Sequence, residues 1–193
     1  FNHKFSPEAN YLTVQNESGQ VPMIWADSSK TALLLPLHFL NNPKTYYMQL
    51  DTGAPSTLFY SNSIQNMKGI SIKNNRVKTQ IKIGNSLISS DKFKILKTSS
   101  KPTEDSIQII GTIGSDILEN RLTNLNFKEN FVELNLKNQP KLNSKNTIEY
   151  SFKKRKIIIP VTLKGKKEQF IYDSGSSSYE LLTNKDVWNT LKL

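Results

Sequence analysis

Residues 46–61, YYMQLDTGAPSTLFYS, contain a carboxylate between an apolar run and a tight turn. An apolar run ends at Leu50, the carboxylate of Asp51 follows, and Thr52 and Gly53 begin a tight turn. An ionisable side chain beside buried strand residues is costly unless hydrogen bonds or a second titrating group offset its desolvation. The sequence around Asp51 therefore predicts either a locally satisfied turn or a carboxylate that is held for chemistry.

The same pattern occurs a second time, in KKRKIIIPVTLKGKKEQFIYDSGSSSYELLTNKDVWNTLKL, residues 153–193. Like TALLLPLHFLNNPKTYYMQLDTGAPSTLFYSNSIQNMKGI, residues 31–70, it has an apolar strand with a central proline, a polar turn, a second strand and then Asp-hydroxyl-Gly. Pro36 lies 15 residues before Asp51, and Pro160 lies 13 before Asp173. A single turn of this composition is ordinary, so it is the internal repeat that favours a functional interpretation.

Short apolar runs separated by turn residues predict an all-β fold with short helices. Val77, Thr79, Ile81 and Ile83 alternate with polar residues, which is typical of a half-buried antiparallel strand. A short helix is predicted over 61–67, capped by a serine or asparagine and ended by Gly69. Residues 107–136 read as strand, glycine turn, short helix and a closing hairpin at 128–130. The other predicted strands are 31–40, 45–50, 70–72, 77–83 and 87–96.

Three elements, taken together, resemble the aspartic peptidases of the retropepsin-like and pepsin-like superfamily, of the bacterial type. They are LDTGAPST at 50–57, IIGTIGSDIL at 109–118 and YDSGSSS at 172–178. The resemblance implies a lobe of the acid-protease fold, in which Ile113 and Gly114 belong to a segment that threads behind the catalytic turn. It also implies an endopeptidase without a cofactor, whose partner is an extended peptide or protein substrate.

The resemblance implies that Asp51 and Asp173 are the catalytic pair, sharing a proton and holding a water between them. It further implies that Thr52 and Ser174 lock the two turns together, and that glycine at each third turn position lets backbone N–H groups approach the carboxylates. The glycines are Gly53 and Gly175.

The position three residues after each aspartate differs between the two turns. Ser176 offers a hydroxyl to the second turn, whereas Ala54, as in the retroviral type, offers none to Asp51. Losing a donor to an ionised carboxylate raises its pKa, so we expect an activity optimum nearer neutral than strongly acid pH.

The polar composition indicates an N-terminal arm or edge strand at 1–29 and a linker at 138–150. The resemblance implies a complete lobe at 30–137 and the beginning of a second, incomplete lobe at 151–193. A full second lobe would need its own apolar-apolar-Gly segment after Asp173. We expect a second chain or a missing C-terminal segment to complete it. The alternatives are a self-associating form and a degenerate half-lobe.

Composition excludes several chemistries. The sequence has no cysteine, which excludes disulfides and thiolate catalysis, and its two histidines, His3 and His38, lack metal-ligand spacing, so no metal site is expected. No apolar run is long enough for a transmembrane helix. The absence of cysteine and the non-Met start are compatible with an extracytoplasmic location, either periplasmic, surface or secreted.

The net charge of +10 raises the question of an anionic partner. The dense basic run 153–156 precedes Ile157, where charges blunt an exposed strand edge, and this interpretation is favoured over a specific nucleic-acid patch. Two alternatives to the endopeptidase stay open. One is a noncatalytic peptide-binding or assembly domain of the same fold, and the other is a basic surface-binding module.

Overall fold

The computed structural model describes residues 9–40, 42–65, 67–97, 107–139, 141 and 144–191. The predictions for His3, for residues 1–8 of the arm, for Asn41 in the first turn and for parts of the linker lie outside the described residues. Within the described ranges the chain is mostly β with short helices, so the predicted all-β class is confirmed.

The described residues form fifteen strands and two short α-helices. The strands are β1 Thr13–Gln15, β2 Val21–Pro22, β3 Ile24–Trp25, β4 Leu33–Phe39, β5 Tyr46–Leu50, β6 Leu58–Tyr60, β7 Ser71–Lys73, β8 Arg76–Ile83, β9 Ser86–Leu96, β10 Ile109–Ile113, β11 Leu122–Asn126, β12 Phe131–Leu136, β13 Ser151–Lys153, β14 Lys156–Leu163 and β15 Lys166–Tyr172. The helices are α1 Ser61–Ile64 and α2 Lys185–Leu191, with 3₁₀ turns at Ser115–Ile117, Ser144–Asn146 and Ser174–Ser176.

The largest sheet has the strand order β1-β9-β6-β10-β5-β4-β8-β7, and β3 pairs with β4. Because β8 pairs with both β4 and β9, six of its strands close on themselves. The pairs β10–β5 and β6–β9 are parallel, and the others are antiparallel. Two smaller sheets have the orders β11-β12-β2 and β13-β14-β15.

The closed sheet surrounds the hydrophobic core. Strand β8 alternates strictly between exposed and buried residues, as its sequence predicts. Inside, the ring of Phe59 packs edge-to-face on Phe93 with a centroid separation of 5.3 Å. Strand β1 forms the edge of this sheet, and Val21 and Met23 are buried, so residues 9–29 are part of the fold and not a free arm.

The sheet β13-β14-β15 together with α2 forms a C-terminal unit, residues 147–191, that has no apolar core of its own. None of the buried apolar residues in the described ranges lies beyond Leu134. Tyr179 is 68% exposed and Trp188 is 52% exposed. Three strands are stable only when a hydrophobic face is covered or when they pack on another element, so contacts with the large sheet must hold this unit.

Two local predictions are wrong. Helix α1 ends at Ile64 instead of Met67, and its N-cap position is Tyr60, the last residue of β6, which makes no side-chain capping bond. Only Ile64 of that helix is buried, so packing supports a single turn.

The basic run 153–156 is the β13–β14 turn, and within it Arg155 is only 6% exposed. The turn packs on residues 115–119, where Ser115 bonds to the carbonyl oxygen of Arg155 and Glu119 pairs with its guanidinium.

No helix in the described ranges combines the length and the apolar character that crossing a membrane requires.

Candidate active site

The two Asp-hydroxyl-Gly turns follow directly from strand ends. Strand β5 ends one residue before Asp51, and β15 ends one residue before Asp173. In each turn the carboxylate accepts the N–H of the glycine two residues later, at 2.8 Å from Gly53 to Asp51 Oδ1 and at 2.9 Å from Gly175 to Asp173 Oδ1. The same local hydrogen bond therefore shapes both turns, as expected of two copies of one sequence pattern.

The structure brings the two turns face to face. The amide of Thr52 donates to Ser174 Oγ, and the amide of Ser174 donates to Thr52 Oγ1, each at 3.0 Å. Each hydroxyl then donates across the pair, from Thr52 to the carbonyl oxygen of Tyr172 and from Ser174 to that of Leu50, both at 2.8 Å. Thr52 and Ser174 are buried, so four hydrogen bonds shielded from water join the turns.

The glycine of each turn lies against the carboxylate of the other turn. A methyl group built on Gly53 would lie 2.5 Å from the carboxyl carbon of Asp173, and one built on Gly175 would lie 2.4 Å from that of Asp51. Cβ atoms are not found at such distances from another heavy atom. Only glycine at these two positions allows both carboxylates to approach the shared interface.

The segment around Ile113 and Gly114 lies behind the first turn. Strand β10 runs parallel to β5, and the amide of Asp51 donates to the carbonyl oxygen of Ile113 at 3.0 Å. A methyl group on Gly114 would lie 2.5 Å from the carbonyl carbon of Ser56 and 2.8 Å from the carbonyl oxygen of Ala54. Gly114 thus permits close contact between this segment and the backbone of the Asp51 turn.

The sequence did not predict the roles of Thr57 and Asp116, which fasten this segment. The amide and hydroxyl of Thr57 donate to the two carboxylate oxygens of Asp116, both at 2.7 Å, and Thr57 Oγ1 accepts the amide of Gly114 at 3.1 Å. Burial raises the pKa of Asp116, while the bonds from Thr57 and the charge of Arg155 oppose that shift. The sequence offered one signal for this pair: each residue is a polar position within a motif, Thr57 six residues after Asp51 and Asp116 two residues after Gly114.

The two carboxylates have different surroundings. Asp51 also accepts the amide of Ala54 at 2.9 Å, whereas the hydroxyl of Ser176 donates to Asp173 Oδ2 at 3.3 Å. Asp51 is half-buried and Asp173 is exposed. Behind Asp51 lies β10, but among the described residues no strand pairs with the outer edge of β15. The Asp173 turn is instead tied to the large sheet by Gln49, whose Nε2 donates to the carbonyl oxygen of Gly175 at 3.3 Å.

The pKa of Asp51 is raised above its ordinary value of 3.8. Burial is the largest cause, and the charge of Asp173 and a hydrogen bond between the two carboxyl groups act in the same direction. The backbone amides of Ala54 and Gly53 partly oppose the shift. The pKa is raised mainly by desolvation, and the effect of the missing hydroxyl at Ala54 on the pH optimum stays a prediction.

Two interacting carboxyl groups that cannot both ionise cheaply titrate as a pair and can share one proton. Such a pair offers a base and an acid at neighbouring positions, and general acid–base activation of a water molecule requires both groups. The described part of the chain contains no group of three or more His, Asp or Glu side chains suited to a metal ion.

In comparisons with known proteins, no protein-family model matches this chain, and no curated protein matches it significantly.

Proposed function

We propose that this chain carries the catalytic pair of an aspartic-type endopeptidase, Asp51 and Asp173. The observation that carries the proposal is the mutual placement of the turns, in which Gly53 lies against one carboxylate and Gly175 against the other. A purely structural pair of turns has no need to bring two acidic groups into contact, because like charges at short range are destabilising. The retropepsin-like character of the lobe at 30–137 is part of the same proposal.

In the proposed reaction, the different surroundings of the carboxyl groups assign their roles. The more buried Asp51, whose pKa is raised, holds the shared proton, and the exposed Asp173 acts as the base. Asp173 takes a proton from water as its oxygen attacks the peptide carbonyl carbon, and Asp51 gives its proton to the carbonyl oxygen.

The resulting gem-diol then collapses. Asp173 returns its proton to the amide nitrogen, the C–N bond breaks, and Asp51 takes a proton from one diol hydroxyl. The products are a carboxylic acid and an amine, and the pair regains its starting protonation.

A second candidate function is a noncatalytic peptide-binding or assembly domain of the same fold. The observation that favours it is the C-terminal unit, which lacks buried apolar residues in its described part and leaves the outer edge of β15 without a paired strand. An unpaired edge can accept an extended peptide as an added strand.

The proposal is tested by incubating the full chain with a library of unstructured peptides from acid to neutral pH and identifying new termini by mass spectrometry. Asp51→Asn and Asp173→Asn should each abolish cleavage, and a statine peptide, which mimics the tetrahedral intermediate, should inhibit the wild type. Asp91→Asn removes an exposed carboxylate from β9 and is the matched control, with activity retained.

Cleavage that persists in both aspartate variants contradicts the proposal. Binding of the statine peptide without any cleavage by the wild type supports the noncatalytic alternative.

A further inference from the structure

The turn between β13 and β14 has an unexpected residue at its second position. Lys154 and Arg155 both adopt left-handed backbone conformations, with φ of 52° and 59°. Two-residue hairpin turns of this kind favour Asn and Gly, because a side chain disfavours positive φ at both positions. The β7–β8 turn has Asn74 and Asn75, and the β14–β15 turn has Gly165. An arginine in this position is locally costly and persists where other contacts compensate.

Arg155 makes those contacts with the segment behind the Asp51 turn. Its side chain is 6% exposed, and Nε lies 3.0 Å from Glu119 Oε2. Its carbonyl oxygen accepts the hydroxyl of Ser115, and its positive charge acts on the buried carboxylate of Asp116. A turn of the C-terminal unit is therefore attached to the first lobe through both the buried guanidinium and the carbonyl oxygen of Arg155.

The same segment is attached to the catalytic turn on its other side. The amide of Ser115 donates to the carbonyl oxygen of Ala54 at 2.8 Å, and Asp116 holds Thr57 through two bonds of 2.7 Å. Ser115 thus contacts both Arg155 and the residue that donates its amide to Asp51. Hydrogen bonds therefore run from the carbonyl oxygen of Arg155 through Ser115 and Ala54 to the Asp51 carboxylate, while the guanidinium fastens the same segment through Glu119 and through its charge on Asp116.

We infer that Arg155 is a positioning residue that docks the C-terminal unit behind the Asp51 turn and thereby holds the Asp173 turn against Asp51. Because the described part of the unit contributes nothing to the hydrophobic core, polar contacts carry the docking. They include the Thr52–Ser174 exchange and the bonds from Gln49 to Gly175 and from Ser177 to Lys30 at the front, and the Arg155 contacts at the back. The catalytic consequence of this role rests on the proposed function, but the docking role does not.

The test uses the variant Arg155→Gly in the full chain. Glycine fits the positive φ at this position, so the β13–β14 turn keeps its shape while the guanidinium is lost. The matched control is Lys154→Gly, which makes the same backbone change one residue earlier at an exposed side chain. Any difference between the two variants then reports on the contacts of the Arg155 side chain and not on the turn.

The first readout is amide hydrogen exchange at Thr52 and Ser174, which reports whether the turns are joined and needs no catalysis. We expect exchange about tenfold faster in Arg155→Gly, because a weaker docking contact raises the population of the open form. Lys154→Gly should match the wild type, and the amides of β14 should stay protected in both variants.

The second readout is peptide cleavage. We expect kcat to fall about tenfold in Arg155→Gly, with a smaller change in KM. The reason is that the variant displaces the two aspartates from each other but leaves the substrate contacts in place. Unchanged exchange at Thr52 and Ser174 in Arg155→Gly overturns the inference. Faster exchange in a protein that cleaves nothing leaves the docking role standing and defeats the proposed function.

Discussion

Thr52 and Ser174 exchange amide-to-hydroxyl hydrogen bonds in both directions, each at 3.0 Å, although 122 residues separate them in the chain. The exchange is possible because each turn presents an N–H and a hydroxyl oxygen at the same point, so that the two copies complement one another. This relationship fixes how close the neighbouring aspartates come.

Thr52→Ala should destabilise the protein by about 2 kcal/mol, because it leaves the buried amide of Ser174 and the carbonyl of Tyr172 without their hydroxyl partner. Thr52→Ser keeps the hydroxyl and should cost much less. Denaturant unfolding of the two variants measures the difference. Equal stability of the alanine and serine variants would show that the exchange contributes little.

Gly53→Ala should destabilise the fold through a clash with Asp173, whose carboxyl carbon would lie 2.5 Å from the new methyl group. The same substitution in an Asp173→Ala background meets no carboxylate and should cost about 1 kcal/mol less, as contacting residues couple in double-mutant cycles. Thermal unfolding of the four proteins completes the cycle. Additive effects of the two substitutions would contradict the contact.

Asp51→Asn should stabilise the protein at neutral pH. The folded-state pKa of Asp51 is raised above 3.8, so the stability that comes with its protonation is complete below pH 3.8 and is lost as the pH rises through the folded-state pKa. An amide is neutral throughout and keeps an oxygen that can accept the Gly53 and Ala54 amides. The melting temperature of the variant should exceed that of the wild type at pH 7, and the gap should narrow below pH 3.8.

If the gap between Asp51→Asn and the wild type is the same at both pH values, the raised pKa is not the cause. Asp91→Asn, at an exposed position of β9, controls for the general loss of one surface carboxylate.

Ala54→Ser should move the activity optimum towards acid pH, on the basis of the proposed function. A hydroxyl at this position can donate to Asp51 as Ser176 donates to Asp173, and a bond to the ionised form lowers the pKa. Activity that needs a proton on Asp51 is then lost at a lower pH. The pH dependence of kcat/KM of Ala54→Ser and the wild type measures the shift, with Ser178→Ala, at an exposed position, as a hydroxyl control.

Much of the local structure follows from the sequence. The alternation in β8, the hairpin at 128–130 and the strand ends that deliver Asp51 and Asp173 all depend on neighbouring residues and on the period of the strand. The length of α1 was predicted wrongly because packing around Ile64, and not capping, sets where that helix ends.

The candidate site was predictable where a motif repeats and unpredictable where a contact is made once. Asp51 and Asp173 stand out because two copies of one pattern carry them. Arg155 looked like one charge among several in a basic run, and only the fold shows that it is buried beside Glu119. Thr57 and Asp116 belong to the quoted motifs, yet nothing local indicates that they bind each other across 59 residues.

The strands, the two Asp-hydroxyl-Gly turns and the residue types that each turn requires follow from the sequence, because backbone conformation and side-chain periodicity are local properties. Tertiary contacts bring the turns together, place each glycine against the opposite carboxylate and bury Asp51 so that its pKa rises. Those outcomes depend on contacts between segments more than a hundred residues apart, which bury Thr52 and Ser174 between the two turns.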